Sequence, residues 1–260
     1  MEARETPPGL RTCGPIWTRP CRQGPATCEV VDGLAPTTRP GADVPRGHAQ
    51  ATARPTRVLL GDGGLAAEVL EYGGSVSSAY RAVTGHYLDD ARPWQVDVEA
   101  SSPDLYVLPV TAAVGAPGLR RELVHAWAGT QYTTIIAPSA YVASSASLAG
   151  GCIVAPHSVV SSFVRLGRHV VVNPASTIGH GTDIGDYVTI SPGVHVAGRC
   201  VLGHGVFLGI GAVVSSGVSV GSGTILGAGA VLLTDAEPDS VYLGIPARRV
   251  RASEDWLRVI

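Results

Sequence analysis

The 260-residue chain contains no lysine, so its 19 basic residues are all arginine. This reads as the compositional bias of a GC-rich genome rather than as chemistry. Against 21 acidic residues it leaves a net charge of −2, which excludes a general attraction to nucleic acid. Aromatic residues are scarce at 5%, while glycine is abundant with 33 residues. That balance suits a thin interior of Val, Ile and Leu with glycine at tight corners. No stretch of 18 apolar residues occurs, so no membrane span is expected. The N-terminus has no apolar segment of the kind a secretory leader needs, and a cytoplasmic protein is expected. The five cysteines form no zinc pattern. Cys13, Cys21 and Cys28 are widely and irregularly spaced, and Cys152 and Cys200 read as buried thiols.

What the chain does have is a period of six. Seventeen consecutive hexads run without insertion, with an aliphatic residue at every sixth position from Ile136 to Leu232. Four places after each comes a small or β-branched residue, from Ala140 to Ala236. The residue after the aliphatic one is nearly always Gly, Ala, Ser or Asn. A period of six is neither helical nor that of a simple strand; it marks a parallel β-helix of hexapeptides. Each hexad supplies one short strand and one corner, and three hexads close a triangular coil. The aliphatic side chain points inward and stacks on its equivalent in the next coil. With rungs roughly 4.8 Å apart the prism is about 25 Å long. A lone coil cannot bury its apolar face, but stacked coils share one core.

Residues 1–56 differ from the rest. They hold nine of the nineteen prolines and seven of the nineteen arginines, without hydrophobic periodicity, and a disordered tail is expected. Met1 is the one Met in the chain, so translation from nearer Val44 or Val58 is a further expectation, testable by intact mass. Residues 57–132 read as a small Rossmann-like α/β domain with parallel strands. Val58–Leu60 is a strand, Gly61, Gly63 and Gly64 a turn, and Leu65, Val69 and Leu70 have helical spacing. Such a turn leaves backbone N–H groups at a helix N-terminus, which suits a phosphate, although a plain tight turn has the same pattern. A strand is expected at LYVLPV and a helix from Leu119 to Trp127. The prism takes 133–234. Residues 235–260 are expected to leave it as a C-terminal extension, with a short helix around Trp256.

Among His125, His157, His169, His180, His195 and His204, most corner imidazoles read as surface residues. His180 stands apart by its surroundings, NPASTIGHGTDIGDYVTISPGVHVAG. One coil later, Gly198 occupies the equivalent corner. A base from one coil would then stand one rung from a backbone N–H of the next. Acyl transfer needs that pair: a group to take the acceptor's proton and a donor for the thioester oxygen as it becomes anionic.

These residues carry a family resemblance over about residues 57–250. VLLGDGGLAAEVL, YLDD, IAPSAYVASSA, the His180 run, VFLGIGAVV, ILGAGAV and GIPARRV together resemble the hexapeptide-repeat sugar acetyltransferases of the PglD/NeuD type. The resemblance implies a left-handed β-helix, a homotrimer, and acetyl-CoA as co-substrate in the cleft between prisms, with no metal. It implies direct acetyl transfer to a sugar or sugar-nucleotide acceptor, N-acetylation of a nucleotide-linked amino sugar ranking ahead of O-acetylation of a sugar or sialic acid. By position it implies His180 as general base and Gly198 at the thioester carbonyl. Thr189 falls near the acetyl group, Ile210 and Ala228 along the pantetheine groove, and Arg248 or Arg249 near the CoA phosphates. Gly63, Gly64, Leu65, Asp89 and Asp90 fall to the acceptor. The chain departs from the family where an acidic residue follows the catalytic His: Gly181 stands there, with Asp183 and Asp186 as candidate substitutes. Thr189 replaces a His, Gly63-Gly64-Leu65 replaces Ser-Gly-His, and Pro109 replaces a Gly.

Two other classes compete. Gamma carbonic anhydrases use the same scaffold but need three His ligands, two of them close in sequence. Here His180 and His195 are 15 apart and His195 and His204 nine apart, so no close pair exists. Metal analysis discriminates that reading. A non-catalytic prism used for assembly is the third reading. His180 and GIPARRV argue against it, and failure to bind acetyl-CoA would favour it.

Overall fold

The structure, a computed structural model, describes residues 57–61, 63–72, 80–83, 107–127 and 129–258. The stretch 1–56 and the carboxylates Asp89 and Asp90 lie outside the described residues.

A three-stranded parallel sheet comes first. Its central strand β1 (Arg57–Leu60) lies between β2 (Tyr80–Val83) and β3 (Val110–Ala112). Val58, Leu59 and Leu60 are all fully buried, as a parallel strand covered on both faces requires. Helix α1 (Gly64–Tyr72) follows β1 and buries Ala66 and Val69. Helix α2 (Pro117–Ala126) follows β3, with a proline preset for its first turn. The strand expected at LYVLPV is placed later, at Val110–Ala112. Pro109 has no N–H for the ladder and stands just before the strand, its carbonyl accepting from Val58 N–H at 2.9 Å.

The prism has the expected architecture. Among the described residues, seventeen two-residue strands run from β4 (Ile135–Ile136) to β20 (Val231–Leu232). Each pairs in parallel with a strand one coil before or after it, as Thr177 with His195, Asp183 with Val201 and Thr189 with Phe207. Three flat faces result. In each pair the second residue points inward: Ile178, Ile190 and Leu208 are fully buried and Ile184 is 4% exposed. Burying such a side chain contributes about 1.5–3 kcal/mol. The first coil is less covered, with Ile136 47% exposed. Corners turn through the left-handed region, at glycines or at residues such as Ala175 (φ 57°) and Tyr187 (φ 60°).

The first face is covered by the α/β unit. Its outward residues Ile135, Ile153 and Val171 pack with Leu59, Ala66, Val69 and Ala113. At the other end, the extension does not simply leave the prism. Strand β21 (Ser240–Leu243) pairs in parallel with Ile225–Leu226 and antiparallel with β22 (Arg248–Ala252). Tyr242 takes the inward place beside Leu226, so a ring does the work of the hexad aliphatic. The residues around Trp256 are bends, not a helix. They lie along α2, where the Arg121 guanidinium sits 4.2 Å over the Trp256 ring and Gly118 N–H donates to the Leu257 carbonyl at 2.9 Å. These tertiary contacts hold the segment in place of helical hydrogen bonds.

Candidate active site

The corners differ in how they satisfy the N–H two places after the inward aliphatic. At the corner between the first and second faces, Pro138, Pro156, Pro174 and Pro192 remove that donor in four successive coils. Ile210 and Ala228 follow them in the same column, both exposed. At the corner between the third and first faces, a side chain one coil on accepts it. Arg168 N–H donates to Asp186 Oδ1 (2.8 Å), Asp186 N–H to His204 Nδ1 (2.9 Å) and His204 N–H to Ser222 Oγ (3.1 Å).

The remaining corner, between the second and third faces, carries His180. It lies between β11 (Thr177–Ile178) and β12 (Asp183–Ile184). The backbone is fixed by Arg199 N–H donating to the His180 carbonyl (2.8 Å) and Gly181 N–H to the Ser162 carbonyl (3.0 Å). The imidazole is exposed and makes no hydrogen bond among the described residues. It lies on Gly198: a Cβ there would stand 2.6 Å from His180 Cε1 and 2.9 Å from each ring nitrogen. A glycine is required for this approach. Ser216 Oγ donates to the Gly198 carbonyl at 2.9 Å and orients that peptide, while the Gly198 N–H donates to no acceptor among the described residues. An imidazole and a backbone donor therefore stand together on adjacent coils.

Neither carboxylate considered as a substitute for the missing acidic neighbour reaches His180. Asp183 pairs with Arg165 along the third face. Asp186 pairs with Arg168 at 2.8 Å. Burial works to raise the Asp186 pKa, but the hydrogen bonds and charge of Arg168 outweigh it and hold the carboxyl below its usual range.

Of the remaining expected residues, Arg248 and Arg249 are exposed on β22, with Arg249 Nε donating to Ser240 Oγ at 2.8 Å. Ile210 and Ala228 occupy the opposite edge of the second face from His180 and Gly198, so a single chain does not bring the two pairs to one corner. Thr189 is placed elsewhere again. It is 1% exposed beneath α2, and its hydroxyl donates to the Gly115 carbonyl at 2.6 Å. Burial leaves it no surface to offer an acetyl group.

In the α/β unit the strand order is β2-β1-β3, so successive connections leave β1 in opposite directions. The loops after β1 and β3 lie at this switch point, where an open parallel sheet ordinarily has its ligand crevice. Gly61 has φ +121°, and a Cβ there would stand 2.8 Å from the Ala113 carbonyl, so the two loops touch. Side chains at Gly63 or Gly64 would meet nothing within 4 Å, which leaves open space over the N-terminus of α1. Leu65 is half-buried on that helix.

The sequence reading missed Arg120, which is fully buried, and the His169 cluster. His169 packs between Tyr132 (ring centroids 4.6 Å) and Tyr187 (5.0 Å). Burial, with the nearby charges of Arg120 and Arg168, lowers its pKa to about 4. Burial also pushes the Cys152 thiol up to about 11, in keeping with an inert interior cysteine. Among the described residues no three of His, Cys, Asp and Glu gather as a metal set.

Residues 199–234 match the bacterial transferase hexapeptide (six repeats) family. No curated protein matches the sequence significantly. Solved structures do match. Perosamine N-acetyltransferase from Caulobacter crescentus, in a variant crystallised with CoA and GDP-perosamine, is 26% identical with a TM-score of 0.66, over 76% of this chain and 98% of that one. The acetyltransferase domain of PglB from Neisseria gonorrhoeae FA1090, solved with acetyl coenzyme A, is 27% identical with a TM-score of 0.64, over 76% and 100%. WeeI from Acinetobacter baumannii AYE shares the fold at 21% identity and a TM-score of 0.64, over 76% and 100%. Prism and repeat match together define a hexapeptide-repeat transferase. Within that class the chain is an acyltransferase, similar in structure to perosamine N-acetyltransferase and to the PglB acetyltransferase domain.

Proposed function

We propose that the protein transfers an acetyl group from acetyl-CoA directly to the amine of a nucleotide-linked amino sugar, with His180 as general base. The observation that carries this reading is the His180 ring lying on Gly198 beside an N–H that no acceptor among the described residues uses. The acceptor nitrogen attacks the thioester carbonyl while the His180 imidazole takes its proton. The Gly198 N–H donates to the oxygen as it becomes anionic. Collapse of the tetrahedral species breaks the C–S bond, and the imidazolium returns the proton to the leaving thiolate. No covalent acyl-enzyme forms.

The groove for acetyl-CoA follows from the corner pattern. The proline column offers no backbone donors, whereas Ile210 and Ala228 have N–H groups that donate to no acceptor among the described residues, suited to a pantetheine amide. Arg248 and Arg249, both exposed on β22, are the candidates for its phosphates. Because this groove and His180 flank opposite edges of the second face, a neighbouring copy must complete the site. The second face presents Val159, Val213 and Val231 outward, with Tyr141 62% exposed, and suits packing of three copies around an axis. The sugar nucleotide is assigned to the crevice by Gly63, Gly64 and Leu65, with Asp89 and Asp90 as further candidates. This reading puts the reaction in the cytoplasm.

The test is thiol release from acetyl-CoA across a panel of amino-sugar nucleotides and free sugars, with His180→Ala alongside. Turnover with an amino acceptor, reduced by ~10²–10⁴ in the variant, is the expected result. Turnover with hydroxyl acceptors alone would make the enzyme an O-acetyltransferase. A near-normal rate in His180→Ala would remove His180 from the mechanism.

A further inference from the structure

Arg120 sits on α2 with none of its surface exposed. No carboxylate pairs with it among the described residues. Its guanidinium instead donates to five carbonyls and a hydroxyl. Nε reaches the His169 carbonyl (2.9 Å). Nη1 reaches the carbonyls of Val114 and Gly115, the latter at 3.2 Å. Nη2 reaches the carbonyls of Tyr187 (2.7 Å) and Val188 (3.1 Å) and Thr189 Oγ1 (3.0 Å). Thr189 Oγ1 in turn donates to the Gly115 carbonyl, so that oxygen is held from two sides.

Two groups of acceptors are joined here. Val114 and Gly115 belong to the loop between β3 and α2, which forms one wall of the crevice and begins at Ala113, against Gly61. His169, Tyr187, Val188 and Thr189 belong to two successive coils of the prism. An aliphatic side chain of similar reach would fill the same gap without desolvating a charge. It could not hold these acceptors in a fixed relation, which the planar, all-donor fork of arginine does.

We propose that Arg120, buttressed by Thr189, is a positioning residue that pins the wall of the acceptor crevice to the prism and so fixes the acceptor relative to the transfer corner. It acts through the loop and touches neither substrate. The inference rests on the reading that the crevice takes the acceptor. A displacement of about 1 Å at a site of group transfer can cost 10²-fold, so a loose wall would weaken acceptor use while leaving acyl-CoA binding alone.

The test uses Thr189→Val, which keeps the shape and deletes one strut, and Arg120→Lys, which keeps the charge and loses the fork. Amide exchange and steady-state kinetics are measured on the full chain. In Thr189→Val, amides of residues 113–116 and the first turn of α2 should exchange ~10-fold faster, with prism amides unchanged. The KM for the acceptor should rise ~10-fold while that for acetyl-CoA moves less than ~2-fold. Arg120→Lys should move the same quantities further. Unchanged exchange in the loop, an even rise through the prism, or a parallel rise in both KM values would overturn the proposal. If the wild type turned over no sugar acceptor, the functional reading would fail, and exchange in the loop would still decide whether the pin exists.

Discussion

Replacing Gly198 by alanine puts a Cβ 2.6 Å from His180 Cε1 and 2.9 Å from each ring nitrogen. Ordinary carbon contacts lie at about 3.5–4.0 Å, so the ring must retreat by about 1 Å. It can do so cheaply, because the imidazole is exposed and nothing else among the described residues holds it. The backbone tolerates a side chain there, since the equivalent corners carry Ser162 and Ser216. Stability should therefore change by less than about 1 kcal/mol. The Gly198 N–H survives the substitution, so the proposed oxyanion donor is kept and the proposed base alone is displaced. A 1 Å misplacement of a catalytic group is worth ~100-fold. The assay is kcat by thiol release, with the melting temperature and acetyl-CoA affinity as controls. A kcat within about threefold of wild type, in a folded variant that binds acetyl-CoA, would refute the argument that ring position at this corner sets the rate.

Three other outcomes are expected. Ile184→Asp should abolish the cooperative melt, because Ile184 is 4% exposed and an unpaired carboxylate would face the interior at a cost of several kcal/mol; circular dichroism checks this. Ala175→Gly should stabilise by about 0.5–1 kcal/mol, since φ 57° disfavours a Cβ and the next coil already carries Gly193; a rise in Tm checks this. His169 gives a pH signature: its folded pKa of about 4 lies below the ordinary 6.5, so the unfolded chain takes up the proton first as pH falls. Stability should drop by on the order of 2–3 kcal/mol between pH 6.5 and 4 and level off below, and Tm in His169→Phe should lack that component.

The prism was legible because its period is enforced by stacking: every eighteenth residue must present the same size to the same place. His180 and Gly198 were legible for the same reason, since the period alone puts them one above the other. Legibility ended where the period did. Leu226 pairs with Tyr242, sixteen residues on rather than eighteen, and the inward slot is filled by a ring, so the last rung carried no hexad signal. A short helix is expected around Trp256 from the sequence, whereas contacts with Arg121 and Tyr187 shape that segment. Arg120 was hidden because an arginine on a short helix ordinarily faces solvent. Thr189 was hidden because an outward strand position gives no sign that another unit covers it. The separation of Ile210 from His180 follows from the same period, because thirty residues are five hexads and not a whole number of coils.

An unbroken run of hexads also limits what the prism can vary. Without an insertion at any corner, it grows no loop that could reach over a substrate, and its edges offer only the narrow vocabulary of a two-residue turn. On the proposed function, discrimination among acceptors would then fall to the parts that are not periodic, such as the loops after β1 and β3 and the tail around Trp256. On the proposed function, such a division would let the acceptor change through a few dozen residues while the proposed transfer corner stayed the same. It also marks where a designer would work, and which half of the chain to leave alone.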